Sequence, residues 1–198
     1  MKLDINEKIK AHEKYVQTLG KEGVELILDE FQFENGDLID VNLSESSLTD
    51  CSFEGLKLEN VDFYRANLYS STFVNTQIVH GSYIKSNADY TSFIKARIIE
   101  TNFLKAELPE TDFSNATIKN SSFISADLRE ANFSNSVLEN VDFKYAWFKD
   151  TILKRVILKK PLNLDEATIK SINIGTLEEP IILKEEQAVQ WIVNNINK

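Results

Sequence analysis

Large apolar side chains recur at every fifth position from Phe33 to Leu158, and Ala88 is the only interruption of this pattern. A fixed short period is the signature of a repeat architecture. A period of five residues matches neither an amphipathic helix nor a flat strand. Five residues turn a helix by about 140°, and an odd step along a strand moves the side chain to the opposite face of the sheet. The chain must therefore turn a corner in every repeat, which predicts a solenoid of short strands.

A second inward position precedes each apolar centre by two residues and is usually small, as in Val61 before Phe63 and Ala66 before Leu68. Positions two apart on a strand face the same way, so both residues point into a common interior. The residue between them is mostly Asp, Asn, Ser or Thr and must face outward.

These units closely resemble the repeat of the pentapeptide-repeat family, which is a small residue, Asp or Asn, Leu or Phe, and two variable residues. The resemblance covers about two thirds of the chain. It implies an all-β solenoid, a right-handed quadrilateral β-helix with four repeats per coil and about six and a half coils. The units that match directly are Val61-Asp62-Phe63, Ala66-Asn67-Leu68, Thr111-Asp112-Phe113, Ala126-Asp127-Leu128 and Ala131-Asn132-Phe133.

Sorting the centres at intervals of twenty residues gives four columns and supports the four-sided coil independently. The first column is Phe33, Phe53, Phe73, Phe93, Phe113 and Phe133. The second is Leu38, Leu58, Ile78, Ile98, Ile118, Leu138 and Leu158. The third is Leu43, Phe63, Tyr83, Phe103, Phe123 and Phe143. The fourth is Leu48, Leu68, Ala88, Leu108, Leu128 and Phe148. Stacked rings on two facing sides fill the interior and leave no room for a ligand. With about 4.8 Å between coils, the rod is roughly 31 Å long.

The open ends of a solenoid need capping segments. The pattern predicts three parts: a helical cap with a strand leading into the repeats over residues 1–30, the solenoid over 31–160, and an irregular last coil with a helix over 161–198. The first helix is predicted over 5–19, with Asp4 as its N-cap. Beyond Pro161 the period resumes one residue out of phase.

A final helix is predicted over residues 184–197 from its broad apolar face. Two roles remain open for it, since it either covers the coil end or joins a second subunit, as terminal helices of related family members do. The protein is accordingly a monomer or a homodimer through this helix. The residues concerned are Val189, Trp191, Ile192, Val193 and Ile196.

Composition narrows the function classes. The net charge of −9 argues against a nucleic-acid ligand. No apolar run approaches the length of a membrane span and the first residues are polar, so a cytoplasmic protein is expected. Cys51 occupies an inward position, which predicts a buried, unreactive thiol.

The sequence has no motif for catalysis, a metal or a cofactor. Its two histidines, His12 and His80, belong to different modules and are expected to face solvent. An enzymatic function is therefore not expected, and neither is a bound cofactor.

The outward positions are unevenly charged. The fourth side is predicted to be acidic, through Asp50, Asp89, Glu107, Glu110, Asp127, Glu130 and Asp150. The third side carries an outward apolar ladder beside bases, which are Tyr64, Ile84, Leu104 and Ile124 with Arg65, Lys85 and Lys105. Contiguous outward apolar residues flanked by charge indicate a partner surface, although packing on a sheet also explains them.

Two functional hypotheses follow. The first is a non-enzymatic protein-protein interaction module, a rigid scaffold or immunity-type rod with an unidentified partner. The second comes from the resemblance, because several pentapeptide-repeat proteins bind DNA gyrase or topoisomerase IV as acidic mimics of DNA and confer quinolone or toxin resistance. A DNA duplex of this length carries about 18 phosphates. Residues 31–158 contain 18 acids and 12 bases, and 18 − 12 leaves a net of six negative charges, which favours the first hypothesis.

Overall fold

The chain forms a β-solenoid of about seven turns with a helix at each end. The computed structural model describes residues 4–34 and 36–196; residues 1–3, 197 and 198, which belong to the predicted end segments, and Asn35 lie outside the description. Helix α1 is Ile5–Gln17 and helix α2 is Glu185–Asn195. The strands are β1 Ile27–Asp29, β2 Leu38–Ile39, β3 Ser47–Thr49, β4 Lys57–Glu59, β5 Gln77–Val79, β6 Arg97–Ile99, β7 Thr117–Lys119, β8 Val137–Glu139, β9 Trp147–Phe148, β10 Thr151–Ile152, β11 Ile157–Lys159, β12 Thr168–Ile169, β13 Ser171–Asn173 and β14 Ile182–Lys184.

Successive coils pair in parallel with a register of twenty residues. The second side forms a seven-stranded sheet in the order β11-β8-β7-β6-β5-β4-β2. In it Leu58 pairs with Ile78, and Ile78 with Ile98. The other sides pair mostly through isolated bridges of the same spacing, such as Asp62 with Ser82. The twenty-residue coil predicted from the columns is therefore confirmed.

The interior is a continuous apolar core, and every centre from Phe33 to Leu158 is buried. Rings of the first column stack one coil apart, with 4.9 Å between the centroids of Phe93 and Phe113. They meet the rings of the third column edge to face, as Phe103 does with Phe113 at 6.1 Å. Cys51 is fully buried, as expected, and burial raises the pKa of its thiol.

The corners of the coil depend on left-handed backbone. The residue two positions after each described centre has a positive φ, for example 56° at Lys105 and 58° at Tyr90. This conformation is costly for any residue other than Gly and worst for β-branched ones. From Glu30 to Lys160 no described corner is Val, Ile or Thr, and only Gly55 is glycine. The corners thus explain why one of the two variable positions lacks β-branched residues.

The last coil is irregular in the way that the phase shift predicted. Ile169 pairs with Phe148 and Ile172 with Thr151, which are spacings of 21 residues and not 20. Strand β14 then reverses direction and pairs antiparallel with β13. This reversal ends the solenoid and leads directly into α2.

The prediction that both histidines face solvent is wrong for His12. His12 is fully buried between α1 and the first coil. Its Nδ1 accepts a hydrogen bond from the Leu26 N–H and its Nε2 donates to the Ser44 carbonyl, both at 3.0 Å. Burial lowers the pKa of His12, because the charged ring would lose its hydration there. His80 lies at an exposed corner, 3.3 Å from the Glu100 carboxylate.

One polar atom in the ring stack has no partner. Tyr83 lies between Phe63 and Phe103, each 4.9 Å away between centroids, and its buried hydroxyl makes no hydrogen bond with any described residue. We expect Tyr83→Phe to raise the free energy of unfolding by about 1 kcal/mol, because it removes an unsatisfied buried group. Equilibrium urea unfolding measures this change, with the exposed Tyr69→Phe as control. A loss of stability in Tyr83→Phe would show that the hydroxyl is satisfied.

Neither helix in residues 4–34 and 36–196 is long and apolar enough to cross a membrane.

Candidate functional site

The filled interior leaves the outer sides as the place for a functional surface. On the third side, the side chains that lie one coil apart are Tyr64, Ile84, Leu104 and Ile124. The backbone aligns them, since the Arg65 N–H donates to the Ile84 carbonyl and the Lys85 N–H to the Leu104 carbonyl. All four side chains are half-buried and form one strip, which we call the apolar ladder.

Other sides also carry outward apolar residues at this repeat position, but in shorter runs. The first side has only Val74 and Ile94 on consecutive coils, and the second has only Val79 and Ile99. The apolar ladder extends over four coils. Sheet packing alone applies equally to every side, so it does not explain why the third side has the longest run.

The bases predicted beside the ladder are exposed at the adjoining corner. The Arg65 guanidinium and the Lys85 ammonium lie 5.9 Å and 5.8 Å from the centroid of the Tyr64 ring. Arg65 is also 3.9 Å from Glu45. Cations close to an aromatic face are attracted to it and hold its orientation. The first coils of the ladder therefore present an ordered aromatic and basic surface, which Lys105 continues one coil further on.

The acids predicted for the fourth side are close enough to one another to interact. The Asp89 carboxyl has one oxygen that is buried without a hydrogen-bond partner among the described residues. Burial raises the pKa of Asp89, and the nearby Glu107 and Asp127 raise it further, against the opposing effect of Arg129. Of the seven acids predicted for this side, four are exposed, namely Asp50, Glu107, Glu110 and Glu130, and three are half-buried, namely Asp89, Asp127 and Asp150.

Arg129 lies among the acids of the fourth side. Its Nη2 donates to Asp127 Oδ2 at 2.6 Å, and its guanidinium lies 4.8 Å from the ring centroid of Trp147. The hydrogen bond to Asp127 raises the pKa of Arg129. The acids here are thus partly neutralised and do not form an uninterrupted negative surface.

Exposed aromatic side chains border the acidic side, and reasoning from the sequence missed them. The ring centroids of Tyr69 and Tyr90 are 5.5 Å apart, and a hydrogen bond to Glu110 raises the pKa of Tyr90 to about 12. Tyr and Trp are enriched in protein interfaces. Sorting all outward positions by column, and not only the charged ones, would have found the group, which is Tyr69, Tyr90, Tyr145 and Trp147.

Helix α2 covers the end of the last coil. Ile192 is buried, and Trp191 and Ile196 are half-buried against the core. Val189 and Val193 are exposed instead. The helix thus has the geometry of a cap. Whether its exposed valines also join a second subunit stays a prediction.

Comparisons with known proteins agree with this fold. One model of pentapeptide repeats matches residues 103–147, and a second matches residues 27–65 and 46–80. No curated protein matches the chain significantly.

Solved structures of pentapeptide-repeat proteins are similar to the chain. A protein from the Arabidopsis thaliana thylakoid lumen is 21% identical, with 50% of this chain and 67% of that one covered and a TM-score of 0.47. HetL of Nostoc, which is involved in heterocyst differentiation regulation, is 17% identical, with 76% and 87% covered and a TM-score of 0.25. The fluoroquinolone resistance protein QnrB1 is 14% identical, with 78% and 93% covered and a TM-score of 0.27.

Proposed function

Because this chain belongs to the pentapeptide-repeat family, we propose that it is a non-enzymatic rod that binds another protein through its outer sides. One observation carries the proposal, the apolar ladder of Tyr64, Ile84, Leu104 and Ile124 beside exposed bases. These side chains point away from a core that is already complete without them. A partner that covered the ladder would bury apolar surface that the isolated rod leaves partly in water.

The partner expected for this side combines apolar and acidic groups. Arg65, Lys85 and Lys105 are exposed along the ladder, so acidic side chains of a partner would complement them. The exposed aromatic residues around the fourth side offer a second contact region at the next face of the rod. A partner that wrapped the corner between the two sides would contact both.

We expect Leu104→Asp to abolish recovery of the partner in a pull-down from the native host. Ile94→Asp is the matched control, because Ile94 is half-buried like Leu104 and has the same repeat position on the first side. Both variants should fold, since Asp89 occupies this repeat position naturally on the fourth side. The expected loss of affinity is at least about tenfold for Leu104→Asp alone. Equal recovery of the partner with both variants would contradict a partner surface on the third side. It would leave sheet packing as the explanation of the ladder.

A DNA mimic acting on gyrase or topoisomerase IV is the second candidate function. It rests on the acids of the fourth side, since Glu107 and Asp127 lie close enough to Asp89 to add to the effect of burial on the pKa of its carboxyl. It predicts that the chain inhibits gyrase supercoiling at micromolar concentration and that reversing Glu107 and Glu110 to lysine abolishes the inhibition. Absence of inhibition by the native chain would refute this candidate.

A further inference from the structure

The two ends of the solenoid are closed unequally. Inside the rod, the residue before each centre uses its backbone to bind the preceding coil. The Asp62 N–H donates to the Val41 carbonyl at 3.0 Å, and the Asp62 carbonyl accepts from the Leu43 N–H at 2.8 Å. On the fourth side β1 supplies these partners to the first coil. On its other sides no described strand precedes the first coil, so other groups must satisfy its backbone.

Helix α1 supplies partners for two of the open backbone groups on the third side, one before and one after the centre Leu43. Its His12 donates to the Ser44 carbonyl at 3.0 Å, and its Glu13 carboxylate accepts from the Asn42 N–H at 3.2 Å. Two side chains thereby take the place of a missing coil. Among the described residues, the cap reaches this side of the rod and extends no comparable contacts to the second side.

On the second side, strand β2 is an open edge. In the described part of the chain it pairs only with β4, so the outward backbone groups of Asp37 and Ile39 have no partner there. The opposite end of the same sheet is closed, because Ile196 bridges to Leu158 of β11. Exposed strand edges are templates for pairing with another chain.

A groove of about 690 Å³ lies beside this edge, between α1 and the first coil. Apolar side chains line its base, of which Ile9, Phe33 and Leu38 are buried and Ile5 and Phe31 are half-buried. Its rim is acidic, through Asp4, Glu34 and Asp37. Residues 4–62, which include α1, contain 15 acids and five bases, so 5 − 15 gives this end of the rod a net charge of −10.

We propose that this groove binds an extended segment of a partner protein, which adds to β2 as a further strand. Main-chain bonds to Asp37 and Ile39 would hold the segment, since an edge strand offers donors and acceptors that only extended backbone can match. Alternate apolar residues would face the groove floor, and Lys or Arg would face the acidic rim. Pairing of β2 with β2 of a second copy is disfavoured, because it brings together two acidic ends. The site is separate from the apolar ladder and does not depend on it.

The test uses the full chain and an acetylated octapeptide of alternating lysine and valine. We expect one peptide to bind per chain in calorimetry, with amide shifts in NMR spectra concentrated at residues 31–40. Glu34→Lys should weaken binding at least about tenfold. Glu54→Lys, the same repeat position one coil later, should change it less than about twofold.

A second peptide, N-methylated at alternate residues, keeps the side chains and loses the edge-facing N–H donors. It should bind at least about tenfold more weakly than the parent. Equal binding of the two peptides, equal weakening by Glu34→Lys and Glu54→Lys, or no binding at all would each overturn the proposal. Leu104→Asp should leave peptide binding unchanged, so failure here and failure of the ladder as a partner surface are separate results.

Discussion

Phe113→Ala is expected to lower the free energy of unfolding by about 4 kcal/mol, in the upper part of the range for truncating a buried ring. The Phe113 ring stacks on Phe93 at 4.9 Å and on Phe133 at 5.0 Å between centroids. It also meets Phe103 and Phe123 edge to face. Removing the ring leaves a cavity between two coils that are held by their neighbours and cannot collapse.

Equilibrium urea unfolding tests this expectation, and two variants act as controls. Phe113→Leu should cost only about 1 kcal/mol, because leucine fills the equivalent position in other columns. Phe33→Ala should cost less than Phe113→Ala, since among the described residues Phe33 stacks on Phe53 alone and touches Phe31 at its edge. Equal losses of unfolding free energy in Phe113→Ala and Phe33→Ala would contradict a rod stabilised by contacts between neighbouring coils.

Acidification is expected to release the N-terminal cap through His12. In the folded chain Nδ1 accepts the Leu26 N–H, so the ring must be neutral, and burial keeps its pKa below the ordinary value of about 6.5. The Ser44 hydrogen bond and the charges of Glu25, Glu13 and Glu45 oppose this effect without reversing it. Above pH 6.5 both states are neutral. Below it only the unfolded chain gains the proton, so stability falls as the pH decreases toward the folded pKa.

The measurement is the free energy of unfolding between pH 7.5 and 5.5 in a His80→Gln background, where His12 is the only histidine. We expect a loss of up to about 1 kcal/mol over this range from His12. His12→Leu should remove the pH dependence. It should also lower the free energy of unfolding by about 3 kcal/mol at pH 7.5, because it leaves the Leu26 N–H and the Ser44 carbonyl buried without hydrogen bonds. Faster hydrogen exchange at the Leu26 amide should accompany acidification. A flat pH profile in the His80→Gln protein would contradict the neutral-ring account.

The fold could be predicted from the sequence because each repeat carries its own signal. Phe63, for example, points inward because of its place within its own five-residue repeat. The repetition every twenty residues then determines how successive coils pair. The positions of the apolar ladder and of the acids on the fourth side were found by sorting residues at the same interval of twenty. Even the phase shift before Ile169 was visible as a displaced period.

Features that depend on docking between segments could not be predicted in this way. His12 gives no local sign of burial, because its two hydrogen bonds reach residues 14 and 32 positions away. The reversal at β14 and the open edge at β2 also lack a repeated pattern. They are set by where the caps lie against the coil, which is a tertiary property.

The most direct test of the protein-binding rod is photo-crosslinking with benzoylphenylalanine placed at Lys105 or at Lys95. Both residues are exposed corners in the same left-handed conformation, with φ of 56° and 58°. They differ in the side that they border, since Lys105 follows the apolar ladder and Lys95 follows the first side. A discrete covalent adduct with a partner protein is expected from position 105 in the native host, and none is expected from position 95. Adducts of equal yield from both positions, or none from position 105, would contradict it.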